Sequence, residues 1–292
     1  EKRLRVDNQP YARFAAEIFK RLFTKHPYNW QTIGSMADLD AAKLEEFVAF
    51  FKKYYLPNNA VLVIAGDIDI EKTKKLVDGY FAPIPRGANV VQPNIQDVPI
   101  TAEIVDSVYD SNIQIPAVFA SYRVPGLTTK DAKVMGMVSS ILSGGGSSWL
   151  YKKMVDEKQN ALEVAAFNYS LEDYGAYITL ALPNNNTPLP ELLKDIDEEV
   201  SKLQTQLISE EEYKKIQNQF ENSYVSENSR MLGVAENLAN GYTYYKNTNE
   251  INEELTVIRS ITREDIMNTA KKYLNKNQRV VLYYLPGNGP QE

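Results

Sequence analysis

The sequence predicts an α/β protein made of two copies of one domain, the first of them incomplete. Three observations carry this. Helix-period and strand-period segments alternate along the chain. One proline-rich stretch, with Pro83, Pro85, Pro93 and Pro99 around Gly87 and Asn89, interrupts the alternation. Finally, Lys52-Lys53-Tyr54 returns as Lys271-Lys272-Tyr273, an offset of 219 (271 − 52) that also pairs Glu45 with Glu264, Asn58 with Asn277 and Val61 with Val280 without a gap.

Taken in order, apolar residues at helical spacing predict a helix around Ala12 to Phe23, followed by a loop through His26-Pro27-Tyr28. A helix from about Ala41 to Tyr55 leads into a strand at Ala60 to Ala65, and a further helix covers Ile70 to Tyr80. The prolines that follow can neither continue a helix nor sit in a central strand, so this region reads as an extended linker. Strands are expected at Glu103 to Tyr109 and Gln114 to Val124, then a helix from Thr129 to Leu142. Ser143-Gly144-Gly145-Gly146-Ser147-Ser148 breaks that helix, and Ser147 or Ser148 can cap the next one, which runs towards Glu157. Two antiparallel-looking strands (Leu162 to Ser170, Gly175 to Leu182), helices at Leu189 to Leu207 and Ser209 to about Ser226, another helix pair and a closing strand, Arg279 to Leu285, complete the chain.

In both copies the order is helix, Lys-Lys-Tyr, Asn turn, apolar strand; Met36, Leu39 and Phe47 pair with Leu255, Ile258 and Ile266. The strand beginning near Ile113 would have its counterpart more than a hundred positions before Glu1. The chain, which opens without Met in a charged helical stretch, therefore reads as a piece of something longer: residues 1–82 as the tail of the first domain, 83–102 as the linker, and 103–292 as its twin.

Composition narrows the function. With 32 Lys+Arg against 38 Asp+Glu, a net charge of −6 and no basic block, the chain is not expected to bind nucleic acid. Its apolar runs, Ala60 to Ala65 and Ile115 to Ala120, are too short to span a membrane. Absence of Cys excludes disulfides, thiolate nucleophiles and every Cys-containing zinc site, and a single His cannot build a His-rich one. No G-x-S-x-G accompanies that His.

His26-Pro27-Tyr28, Ile33-Gly34, and Tyr54-Tyr55-Leu56-Pro57-Asn58-Asn59-Ala60-Val61-Leu62-Val63-Ile64-Ala65-Gly66-Asp67 closely resemble the pitrilysin/insulinase family of zinc metallopeptidases. Ile141-Leu142-Ser143-Gly144-Gly145-Gly146-Ser147-Ser148-Trp149-Leu150-Tyr151 resembles that family's second-domain signature, in which Arg is more usual at the position of Trp149. The resemblance covers essentially the whole chain. It implies duplicated α/β domains, each a mainly antiparallel sheet packed with helices, in two half-shells that enclose unfolded peptides, one of which adds as a strand to the first domain's sheet. It also implies zinc held by H-x-x-E-H and a carboxylate roughly 75 residues downstream, with zinc-activated water attacking the peptide carbonyl.

No H-x-x-E-H is present, so no catalytic or cofactor-binding residue is assigned. Glu1, in Glu1-Lys2-Arg3 before Asn8-Gln9-Pro10-Tyr11, matches the third metal ligand; read without the motif it is a solvated terminal charge. At the twin position of the metal motif stands Ser139-Ser140-Ile141-Leu142-Ser143. His26 is expected as a hydrogen-bonded loop side chain, Gly144 to Gly146 as a turn, Glu210-Glu211-Glu212 as acids at a helix start, and the 19 Tyr, among them Tyr242, Tyr244 and Tyr245, chiefly as core. The expected parent is a zinc endopeptidase that meets unfolded peptides and a homologous half or second copy; the chain alone is expected to be inactive and to hold no zinc tightly. The alternative is a non-catalytic family member serving as structural partner, against which Lys152 to Ala161 looks more like a metal-bearing subunit's second domain. The compartment stays open, and the missing Cys fits a bacterial envelope protein.

Overall fold

The computed structural model describes residues 1–287 and 289, with all of their side chains except those of Arg3 and Asp7. It divides into two compact units: Glu1–Ile33, Ile95–Asn218 and the chain from Ile258 onward form one, Gly34–Asn94 with Gln219–Val257 the other.

The first unit is built on a five-stranded sheet. Its strands are β1 (Ile104–Asp110), β2 (Ala117–Pro125), β3 (Ala161–Ser170), β4 (Tyr174–Pro183) and β5 (Arg279–Pro286), in the order β1-β5-β2-β4-β3. Among the described residues only the β1–β5 pair is parallel, so the sheet is mainly antiparallel, as expected. Residues 117–122 of β2 are buried throughout, as required of a central strand covered on both faces.

One face carries α1 (Phe14–Leu22). Its apolar residues recur at helical spacing, and Ile18, Leu22 and the following Phe23 are fully buried against Phe119, Val280, Leu282 and Tyr284. Phe14 stacks on Phe119 with ring centroids 5.2 Å apart. The other face carries three of the next helices in chain order: α5 (Lys130–Ser143), capped by the Thr129 hydroxyl on the Ala132 N–H, α6 (Leu189–Thr205) and α10 (Arg263–Tyr273), capped by Thr262. A buried ion cluster ties β5 to this layer: Arg279, 2% exposed, bonds Glu103 (2.6 Å), Asp197 and the Tyr122 hydroxyl. Burial pushes the Tyr122 phenol up to about 12.

The second unit holds α2 (Met36–Ala41), α3 (Leu44–Tyr54), α4 (Ile70–Phe81), the end of α7 (Glu210–Asn228), α8 (Met231–Asn240) and α9 (Glu250–Ser260) as far as Val257. Helices α3 and α10 span the same residues at the offset of 219, as do the single 3-10 turns Pro57–Asn59 and Lys276–Gln278. Asn58 fastens the proline-rich stretch, accepting from the Gly87 N–H (3.0 Å) and donating to the Ala88 carbonyl (3.3 Å).

The strand expected at Ala60 to Ala65 does not form a ladder. At the same offset β5 lies between β1 and β2, whereas residues 60–65 have no neighbouring strand among the described residues, and an unpaired strand leaves its backbone groups to water. Val61, Leu62 and Ile64 are correspondingly exposed. Tyr242 and Tyr244 correct the expectation of core packing: they lie in a π-helical turn, Gly241–Tyr245, and are 50% and 38% exposed, while Tyr122, Tyr177 and Tyr284 are core.

Candidate functional site

Glu1 stands at the head of a short helix whose residues Arg3–Asp7 are π-helical. Its carboxylate is exposed and pairs with Arg5 Nε at 2.9 Å. The turn behind this helix is firmly anchored to the sheet. Tyr11 adopts φ = 59°, a left-handed conformation that costs a non-glycine residue free energy, and its hydroxyl donates to the Ile115 carbonyl at 2.5 Å while its ring lies against Tyr284. Arg5 also borders a cavity of about 550 Å³ walled by Phe14, Phe19, Tyr28, Trp30, Phe167 and Tyr169.

A zinc site needs three protein ligands. Among the described residues no group of three or more His, Cys, Asp or Glu can hold a metal, so the described donors do not by themselves fit the ion that the resemblance implies. The residues expected at the twin position of the metal motif are committed to the fold: Ile141 and Leu142 are buried, Ser139 Oγ donates to the Met135 carbonyl, and Ser143 Oγ bonds the backbone of Ala166.

His26 is 3% exposed. Its Nδ1 accepts from the Tyr28 N–H at 3.3 Å, so Nε2 carries the proton and donates to Asp173 at 3.1 Å. Beside it lies Asp97, which nothing in the sequence singles out because one Asp among prolines carries no periodic signal. Its side chain is wholly buried. Burial would raise its pKa, yet the backbone N–H groups of His26 and Lys25, the Thr24 hydroxyl and the Arg123 guanidinium outweigh that and bring it down to about 2. Arg123 in turn donates to the carbonyls of Val98 and Leu22. This cluster is a clasp between the end of α1, the proline-rich stretch and the β3–β4 turn.

The glycine loop is a turn, as expected. Gly145 takes φ = +113°, Ser148 Oγ donates back to the Gly145 carbonyl instead of capping the following helix, and Ser147 accepts from Lys215. Trp149 donates to Glu212 at 2.8 Å and lies under Lys202, 4.1 Å from the ring centroid. Glu210, Glu211 and Glu212 open α7, with Ser209 Oγ accepting the Glu212 N–H.

Residues 41–220 match the family described as "Peptidase M16 inactive domain". The chain is 24% identical over 288 residues to the "Zinc protease PqqE" of Helicobacter pylori, covering 98% of this chain and 65% of that protein. It is 21% identical over 269 residues to an "Uncharacterized zinc protease" of Rickettsia felis, covering 91% and 62%. The chain thus spans less than two thirds of the length of these curated relatives. Among solved structures, a protease from Helicobacter pylori superposes with TM-score 0.90 at 24% identity, covering 98% of this chain and 69% of that one. A peptidase M16 inactive domain from Pseudomonas fluorescens gives 0.84 at 15%, covering 98% and 68%. The periplasmic protease PqqL from Escherichia coli gives 0.76 at 16%, covering 96% and 31%. At these identities the structural likeness establishes the fold.

Proposed function

Because the chain belongs to the peptidase M16 family, we propose that it is the non-catalytic, C-terminal portion of a zinc-dependent metallopeptidase that hydrolyses unfolded peptides. The observation that carries this reading is the match to the family's inactive domain by a chain whose relatives are named zinc proteases. The chemistry then belongs to residues outside this chain, with Glu1 as the one ligand contributed from within it. The recurrence of α3 and its 3-10 turn at α10 supports a domain duplication, with residues 1–82 belonging to the metal-bearing copy, 83–102 to the linker and 103–292 to its twin. On this reading the chain helps wall a chamber closed by a homologous half or a second copy, and the bacterial envelope is its compartment.

The test compares this chain with a longer form that includes the residues preceding Glu1. The longer protein is expected to retain one zinc after dialysis and to cleave an unstructured peptide in a chelator-sensitive way, and Glu1→Gln to weaken zinc retention. This chain alone is expected to do neither. Zinc retained by this chain, or a longer protein without chelator-sensitive cleavage, overturns the reading; the latter result would favour a purely structural partner.

A further inference from the structure

Strand β3 is an edge of the sheet, hydrogen-bonded, among the described residues, to β4 on one side only. An edge strand offers a row of outward N–H and C=O groups to any extended chain, so natural sheets close their edges. Ala166, at the middle of β3, faces Thr179 of β4. Its N–H donates to Ser143 Oγ at 2.6 Å, and the same hydroxyl donates to its carbonyl at 2.9 Å. In an antiparallel pair both groups of a residue go to the neighbour or both turn away. Those of Ala166 turn away, and one hydroxyl, acting as acceptor and donor, satisfies them as an incoming strand would.

The glycine loop makes this placement possible. Ser143 is the last residue of α5, and a Cβ at Gly144 would lie 2.4 Å from the Ser140 carbonyl oxygen, so only glycine allows the chain to turn so tightly there. Gly145, at φ = +113°, then carries the chain onward. A second bond holds α5 to the same edge: Asn168 Nδ2 donates to the Ala132 carbonyl at 3.1 Å. The opposite edge is blunted in a similar way, since the Ser107 N–H of β1 goes to the Asp106 carboxylate at 2.7 Å.

We propose that Ser143 is a lock on the sheet edge, occupying the place of an added strand and keeping extended peptides off this domain's sheet. The proposal rests on the peptidase reading only for the nature of the excluded chain, an unfolded peptide. Its test, which needs neither zinc nor hydrolysis, uses this chain as wild type, Ser143→Ala and Ser143→Thr. The probe is a fluorescently labelled extended peptide of alternating Thr and Val, read by anisotropy. Ser143→Ala, still folded by circular dichroism, is expected to bind it about tenfold more tightly than wild type or Ser143→Thr, in which the hydroxyl is kept. Equal binding by all three overturns the proposal. A Ser143→Ala dimer that takes no peptide overturns the choice of excluded partner. Should Ser143→Ala not fold, hydrogen exchange on the wild type decides: the Ala166 amide must exchange about tenfold more slowly than those of Val164 and Asn168, which turn the same way, and equal rates overturn the lock.

Discussion

Asp97 joins segments that the sequence alone does not connect. Its buried carboxylate accepts from the backbone N–H groups of Thr24, Lys25 and His26 and faces Arg123 at 3.5 Å, so it holds the end of α1 to the sheet. Because its folded pKa, about 2, lies below the ordinary 3.8, its contribution is fully present above about pH 4 and lost as pH falls through about 2. The difference is worth about 2 kcal/mol. Urea melts between pH 2 and 7 are expected to show this acid-side loss in the wild type and a flatter curve in Asp97→Asn, with lower stability throughout. A variant as stable as wild type at pH 7 would remove Asp97 from the clasp. His26, by contrast, was legible as a hydrogen-bonded loop residue, because His-Pro-Tyr already marks a turn. Its partner Asp173 lies 147 positions away, beyond the reach of local pattern.

At the scale of the element, α3 and α10 separate what periodicity establishes from what it leaves open. Both span eleven residues, both end in Lys-Lys-Tyr, and both carry an apolar stripe, so the sequence predicts both. Packing divides them. Ile266, Thr269 and Ala270 of α10 are buried, while the positions 219 earlier, Phe47, Phe50 and Phe51, are 58%, 57% and 59% exposed. The 3.6-residue period places a stripe on a helix but does not say what covers it. The same holds for residues 60–65, whose apolar run reads as a strand and finds no partner among the described residues, whereas β5 is buried between two. Ile266→Ala is therefore expected to cost about 2–5 kcal/mol in urea melts. Phe47→Ser with Phe51→Ser should change stability by only about 0.5 kcal/mol and reduce binding of a hydrophobic dye. Equal destabilisation by the two changes would mean that the phenylalanines are covered in solution.

For the whole molecule, chain order and packing order diverge. Composition marks a break at the prolines, and reading along the sequence puts residues 1–82 before it. The compact units instead join Glu1–Ile33 to the sheet and leave Gly34–Asn94 with Gln219–Val257. Local sequence cannot reveal this, since α1 is amphipathic whichever sheet it covers. Its partner is settled by the fit of Ile18, Leu22 and Phe23 against Phe119 and Tyr284, and by Arg21, which bonds Asp106 of β1 at 2.6 Å. Each of the three buried side chains contributes about 2 kcal/mol, enough to hold a severed segment in place. Limited trypsin digestion makes the distinction measurable. Lys43 and Arg86 are exposed and lie outside helices and strands, so cuts are expected there early. If packing follows the units, the N-terminal fragment ending at Lys43 will stay with the large fragment on native gel filtration and leave it only in denaturant. If packing followed chain order, that fragment would be digested or elute free while a core beginning among the prolines survived, and the assignment of α1 to the sheet would fail.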